Sequence, residues 1–265
     1  MKQKKESDKK LNAEDIIRKY RLTADYHTHT VYSRVGPYLH GKGSIIDNVR
    51  AASEQGLREL AITDHGPSDF YGLDPKRIPE MRADIEEAMK AYPDVKVWLG
   101  VEADIVDSAN GLDVAAADFA DYDFVNAGYH YVPNCNMACN FASFHAPCSE
   151  KMKAKLRREN TARIVKALES NNIKILTHPG DKAFINEEEV AAACERTGTL
   201  VEINARHKHP NADDLRIYKK YDVEFVISSD AHKPEYVGRY AESLALAFES
   251  GIDAGRIINV ELRED

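Results

Sequence analysis

Asp25-Tyr26-His27-Thr28-His29 closes a short strand predicted over residues 23–27. Side chains two apart lie on one face of a strand, so the two imidazoles leave it pointing the same way. Many hydrolases share such a pair. Its weight comes from residues further down the chain: His40, Asp64-His65, Glu102, His130, His178 and Asp230-Ala231-His232. All offer nitrogen or oxygen donors, and every candidate ligand except His40 sits at the end of a predicted strand. That is the pattern of a multinuclear metal site at one mouth of a barrel, and it points to a metallohydrolase.

The strands themselves follow from hydrophobic patterning. Ser44 is placed to cap a helix running to Gln55, with Ile45, Ile46, Val49 and Ala52 as its apolar face and Gly56 as its stop. Residues 59–63 form the next strand, broken at Gly66-Pro67. A helix opens at Asp74-Pro75 and runs, interrupted at Pro79, to Ala91. Strands over 95–101, 124–127, 174–177, 200–204 and 224–228 then alternate with helices over 149–170, 187–196, 212–221 and 234–249, and a short segment over 257–260 closes the domain. Such alternation implies parallel βαβ units and an α/β barrel, whose chemistry belongs at the C-terminal ends of the strands. Strand positions come from apolar periodicity and ligand types from chemistry, and the two coincide.

With 265 residues, 43% hydrophobic and 30% charged, the chain has the composition of an ordinary globular protein. We expect one barrel domain over 23–265, preceded by a lead-in over 1–22 that is disordered at its charged start and helical over 11–20. No apolar run approaches the roughly 20 residues needed to span a bilayer, and no apolar signal segment follows Met1. A cytoplasmic location is expected, with Cys135, Cys139, Cys148 and Cys194 as reduced thiols. The net charge of −8 argues against a nucleic-acid partner, though a local basic pocket is compatible with it.

Taken together, Asp25-Tyr26-His27-Thr28-His29, His40, Ile62-Thr63-Asp64-His65-Gly66, Glu102, His130, His178-Pro179-Gly180 and Ser229-Asp230-Ala231-His232 resemble the PHP (polymerase and histidinol phosphatase) family, in its small stand-alone phosphoesterase form. The resemblance implies a distorted (β/α)7 TIM-like barrel holding up to three divalent ions, zinc, manganese or iron, and hydrolysing a phosphate ester with an activated hydroxide. It implies one ion on His27, His29, Glu102 and Asp230. A second would be bridged by Glu102 and held by His130 and His178, and a third held by His40, His65 and His232. Glu102, His178, Asp230 and His232 would carry the catalysis. Imidazole and carboxylate donors suit these metals, and the set lacks the thiolates of a structural tetra-cysteine site. Two ions sharing a hydroxide can stabilise both attacking and leaving oxygens.

Substrate recognition calls for cations and amides near the ligands. Asn204 and Arg206 face the expected mouth if the strand alternation continues, and Arg34 and Lys182 lie close to ligands in sequence. Asp25 and Asp64 could support an imidazole or simply hold a neighbouring loop. The segment over 131–150, rich in aromatics, Asn and Cys, reads as a lid without secondary structure or as a homo-oligomer contact. Its Cys135, Cys139, His145 and Cys148 lack the C-x2-C spacing of a zinc site. The expected substrate is a small phosphorylated metabolite, such as histidinol phosphate. The alternatives are an amidohydrolase-type enzyme, which shares the H-x-H pair and the late Asp, and a metal-binding polymerase-accessory module.

Overall fold

Runs of aliphatic residues short enough for strands and buried on both faces build the centre of the molecule. The computed structural model describes residues 13–133 and 137–263. Its parallel strands are β1 (Ala24–Asp25), β2 (Glu59–Ile62), β3 (Lys96–Asp104), β4 (Phe124–Gly128), β5 (Ile173–Leu176), β6 (Leu200–Asn204) and β7 (Phe225–Ser228). They lie side by side in strict chain order, with Glu102 opposite Asn126 and Asn204 opposite Ser228. The seam between β1 and β7 is closed at two levels. At the C-terminal end Thr28 bridges Ala231, and the backbone N–H of His29 donates to Ala231 O at 2.8 Å. Nearer the N-terminal end the Asn259 side chain takes the place of a ladder rung. Its Nδ2 donates to Ala24 O and Ile227 O, both at 2.7 Å, and its Oδ1 accepts from Ile227 N at 3.1 Å. The result is the nearly closed seven-stranded barrel that the sequence implied.

Outside the barrel pack α1 (Ala13–Lys19), α2 (Ile45–Glu54), α3 (Ile78–Ala91), α4 (Met137–His145), α5 (Glu150–Ser170), α6 (Glu187–Thr197), α7 (Ala212–Tyr218) and α8 (Ala241–Glu249). Ser44 caps α2 as expected, in a reciprocal box with Asp47. Ile46, expected on the apolar face of α2, is instead exposed, and buried Asn48 donates to His29 O at 3.1 Å. The connection from β3 to β4 carries a short 3-10 helix over Ala116–Asp121 in place of an α-helix.

Several boundaries differ from expectation. The helix expected over 234–249 is a short turn at Pro234–Tyr236, then a break, then α8, because Gly238 adopts φ 76. The helix over 74–91 likewise begins as a separate turn, Pro75–Arg77. The segment over 131–150 is not structureless: it contains α4. The described part of the lead-in is ordered, since Tyr20–Leu22 pairs antiparallel with Val260–Leu262 and α1 packs on α8. The disordered start expected over 1–10 lies outside the described residues, as does Cys135.

The barrel interior is divided. At the N-terminal ends of the strands Tyr26, Trp98 and Phe124 surround the Lys174 ammonium, which lies 4.4–5.9 Å from their ring centres. Glu59 accepts from Tyr26 Oη at 3.0 Å and from Trp98 Nε1 at 2.7 Å. At the opposite end the interior turns polar, with Glu102, Asn126 and Glu202 fully buried. Buried charge of this kind is costly unless compensated, so this end is where function is sought.

Candidate metal centre

The C-terminal strand ends deliver the histidines. His27 and His29 follow β1, His65 follows β2, His130 follows β4, His178 follows β5, and Asp230 and His232 follow β7. Glu102 differs slightly from expectation, because β3 continues past it to Asp104 and points its carboxylate inward. His40 comes from the loop after β1, beyond a small exposed hairpin of Arg34–Val35 and Tyr38–Leu39. It is half-buried, and its ring stacks on Tyr71 at 4.4 Å. His178 and Asp230 sit at φ 27 and φ 50, conformations that are strained for side chains other than glycine. Such strain tends to persist where a site over-determines it. Gly128 leaves room for the cluster: a Cβ there would lie 2.8 Å from the His130 ring and 2.9 Å from Glu102 Oε1.

The donor atoms converge on Glu102. Its Oε2 lies 3.1 Å from His27 Nε2, 3.6 Å from His29 Nε2 and 3.2 Å from His65 Nδ1. Its Oε1 lies 2.9 Å from His178 Nε2 and 3.4 Å from His130 Nε2. Asp230 Oδ1 lies 3.3 Å from His29 Nε2 and 3.8 Å from His27 Nε2. Beyond it, the His232 ring lies 4.3 Å from the rings of both His29 and His40. Three-donor groups able to hold a cation include His27–His29–Asp230, Glu102–His130–His178 and His29–His65–His232.

Orphaned atoms test whether a metal fits. Glu102 Oε2, Asp230 Oδ1, His29 Nδ1 and His65 Nδ1 are buried and make no hydrogen bond of proper geometry. Buried polar atoms normally find partners. The Nε2 atoms of His27 and His29 also face each other at 3.0 Å. A cation would relieve that opposition of Nε2 atoms and give the Glu102 and Asp230 oxygens the partner they lack. Burial would raise the Glu102 carboxyl, but the protonated rings of His27 and His130, themselves raised by the surrounding carboxylates, hold it well below the usual range, and bound cations would take the place of those protons. Burial and the neighbouring His232 and His65 push His40 down to about 3, which keeps its imidazole neutral and able to ligate.

Sequence patterning does not single out the residues that support the ligands. Glu202 Oε1 accepts from His27 Nδ1 at 2.8 Å, and Asp104 Oδ1 accepts from His130 Nδ1 at 2.6 Å. Because a carboxylate only accepts, each contact puts the proton on Nδ1 and frees Nε2 for a metal. His232 does the same against the Asp230 carbonyl, with Nδ1 at 2.9 Å. The one sequence signal for the carboxylates is positional, since Glu202 and Asp104 each stand two residues from an inward-facing partner on the same strand. Nor does the sequence point to His207. Its Nε2 lies 3.0 Å from Asp230 Oδ2 and its Nδ1 2.9 Å from Asp181 Oδ2. By contrast, Asp25 and Asp64 hold loops. Asp25 accepts from the backbone of Ser229 and Gly238, and Asp64 from the backbone and hydroxyls of Thr30 and Ser33.

The expected substrate residues divide. Arg206 reaches the mouth, with Nη1 3.3 Å from His232 Nε2 and 3.6 Å from Asp230 Oδ1. Lys182 pairs with Asp181 and lies 3.5 Å from His207 Nδ1. Asn204 joins the site to its loop: Oδ1 accepts from Arg206 N and His207 N, and Nδ2 donates to Glu202 at 2.9 Å and to Asp230 Oδ2 at 3.4 Å. Arg34 is exposed on the hairpin, and among the described residues it makes no ion pair or hydrogen bond with the cluster. No candidate metal group among the described residues includes Cys139, His145 or Cys148.

A family model described as PHP domain matches residues 25–206, and a second, PHP-associated, matches 208–250. A probable phosphatase of Thermoanaerobacter sp. (strain X514) is 28% identical over 257 residues, covering 91% of this chain and 92% of that protein. A probable phosphatase of Acetivibrio thermocellus is 27% identical, covering 92% and 93%. Among solved structures, the histidinol phosphate phosphatase of Lactococcus lactis, complexed with zinc, L-histidinol and phosphate, superposes with a TM-score of 0.60. It is 15% identical, with 91% of this chain and 99% of that one covered, so the likeness is one of fold.

Proposed function

The chain belongs to the PHP domain family, and from that membership we propose that it is a metal-dependent phosphatase of small phosphorylated metabolites, with residues 23–265 as its catalytic unit. The observation that carries this reading is the bridging geometry of Glu102, whose two oxygens face two different sets of imidazoles. His27, His29 and Asp230 with Glu102 would hold one divalent ion, and Glu102, His130 and His178 a second. His65, His232 and His40 would hold a third, with zinc, manganese or iron all compatible with the donors. When bound, such ions supply positive charge to the ester oxygens and acidify water.

The chain's own groups complete the site. Arg206 offers its guanidinium to the phosphate at the open side of His232 and Asp230. Glu202 and Asp104 fix the tautomers of His27 and His130. His207, with one ring nitrogen on Asp181 and the other on Asp230, holds the Asp230 carboxylate in place beside the site. No covalent nucleophile is needed in this scheme. A histidinol-phosphate-like monoester is one candidate substrate, and the alcohol it releases is left open by the ligand set.

The test is a hydrolysis screen on purified protein supplied in turn with zinc, manganese and iron, with bound metal measured by elemental analysis. The expected result is more than two divalent ions per chain and turnover of p-nitrophenyl phosphate. Turnover of an amide with every phosphate ester inert would reverse the assignment in favour of an amidohydrolase.

A further inference from the structure

Beside the candidate metal centre opens a cavity of about 380 Å³, and its wall is basic in a protein whose net charge is −8. Lys42, Arg206, Lys233 and Arg239 line it. The facing carboxylates are few. Asp230 is already committed to the imidazoles, and Glu235 lies 3.3 Å from Lys233 at the rim. Lys42 and Arg239 make no ion pair among the described residues. Arg239 is nevertheless held in place, with its guanidinium carbon 3.8 Å from the Tyr236 ring centre. Lys42 is anchored by its backbone, whose N–H donates to His232 O at 2.9 Å.

Unpaired cations repel one another, and a surface arranges them around a cavity at a cost that a bound anion removes. The cavity is continuous with the site, because Asp230 and His232 line it too. Arg206 stands at the boundary and suits the scissile phosphate, which leaves Lys42, Arg239 and the half-satisfied Lys233 along the rest of the wall. Guanidinium and ammonium groups together match a phosphate or carboxylate. We infer that the substrate carries a second anionic group, beyond the scissile phosphate, and that Lys42, Lys233 and Arg239 bind it. This rests on the phosphatase reading above and narrows it: the substrate class becomes bisphosphates and phosphorylated acids, and a cationic alcohol such as an amino alcohol fits the wall poorly.

Binding can be separated from turnover. Metal-loaded enzyme is titrated calorimetrically with propane-1,3-diyl bisphosphonate, which carries two anionic groups, and with propylphosphonate, which carries one. The wild type is expected to prefer the bisphosphonate by about tenfold or more, the scale of one charge-assisted contact. In Lys42→Gln/Arg239→Gln that ratio should fall close to one, and the single Lys42→Gln variant should fall between. Both side chains are solvent-facing, and the single variant guards against loss of fold in the double one. Equal wild-type affinity for the two ligands overturns the inference, as does a preference unchanged in the variants. Loss of p-nitrophenyl phosphate turnover under every metal would instead strike the phosphatase reading, while the binding ratio still reports on the basic wall.

Discussion

His27 and Glu202 are joined through the barrel interior, with Nδ1 of the imidazole 2.8 Å from Oε1 of the carboxylate. The other oxygen, Oε2, accepts from the backbone N–H of His178 at 2.7 Å. One buried carboxylate thus orients two candidate ligands on different strands. Glu202→Gln keeps the shape but turns an N–H toward one of the two donors, so one contact is lost. Metal affinity should fall about 10–100-fold, measured by competition with a chromophoric chelator. Unchanged affinity would show that Glu202 serves only packing.

His178 should be essential for hydrolysis without being essential for folding. Its left-handed backbone, φ 27, is already strained in the wild type, so the probe should be a residue that adopts this conformation at least as readily as histidine. Asparagine tolerates that conformation. His178→Asn should lower p-nitrophenyl phosphate turnover on the order of a hundredfold or more while circular dichroism and Tm stay near wild type. A fully active variant would sink the mechanism.

The Asn259 rung should be a stability hot spot. Asn259→Ala would leave Ala24 O, Ile227 O and Ile227 N without their partner at the barrel seam. The expected loss is about 3 kcal/mol, since each buried unsatisfied group costs roughly 1–3 kcal/mol and some relax. Urea unfolding measures it, and a change below about 1 kcal/mol would mean the seam closes without this side chain.

The thiols should label selectively. Burial pushes the Cys194 thiol up to about 12, whereas Cys139 is exposed. The thiolate is the reactive form, and a raised pKa removes it at lower pH. At pH 8 Cys194 is then thiolate only to about one part in ten thousand. Iodoacetamide at that pH should modify Cys139 and spare Cys194 until denaturant is added, as read by peptide mass mapping. Rapid labelling of native Cys194 would contradict its burial.

Local patterns make much of this fold legible. Leu200-Val201-Glu202-Ile203-Asn204 reads as a strand in both sequence and structure, with identical limits. The departures share a cause. Gly238 reads as an ordinary helical position because only its positive φ, held by the contact of its N–H with Asp25, breaks the helix. The helix α4 within 131–150 lacks a clean apolar period, so its sequence gives no helical signal. Alternation places Asn204 at the mouth, correctly as to face, and its amide there ties Glu202 and Asp230 to the following loop, a linkage the strand period does not encode.

The kinds of donor, and the strand ends that carry them, can be read from the chain alone, because both are local properties of residue type and periodicity. Folding in three dimensions settles which lone pairs meet. Glu102 faces both sets of imidazoles, Glu202 reaches His27, and His207 enters beside Asp230 only once the seam between β1 and β7 is closed. Lys42 and Arg239 are likewise brought to one wall only by that closure. Contacts between residues so far apart in the chain depend on strand order, tilt and loop path, and no periodicity in the sequence encodes them.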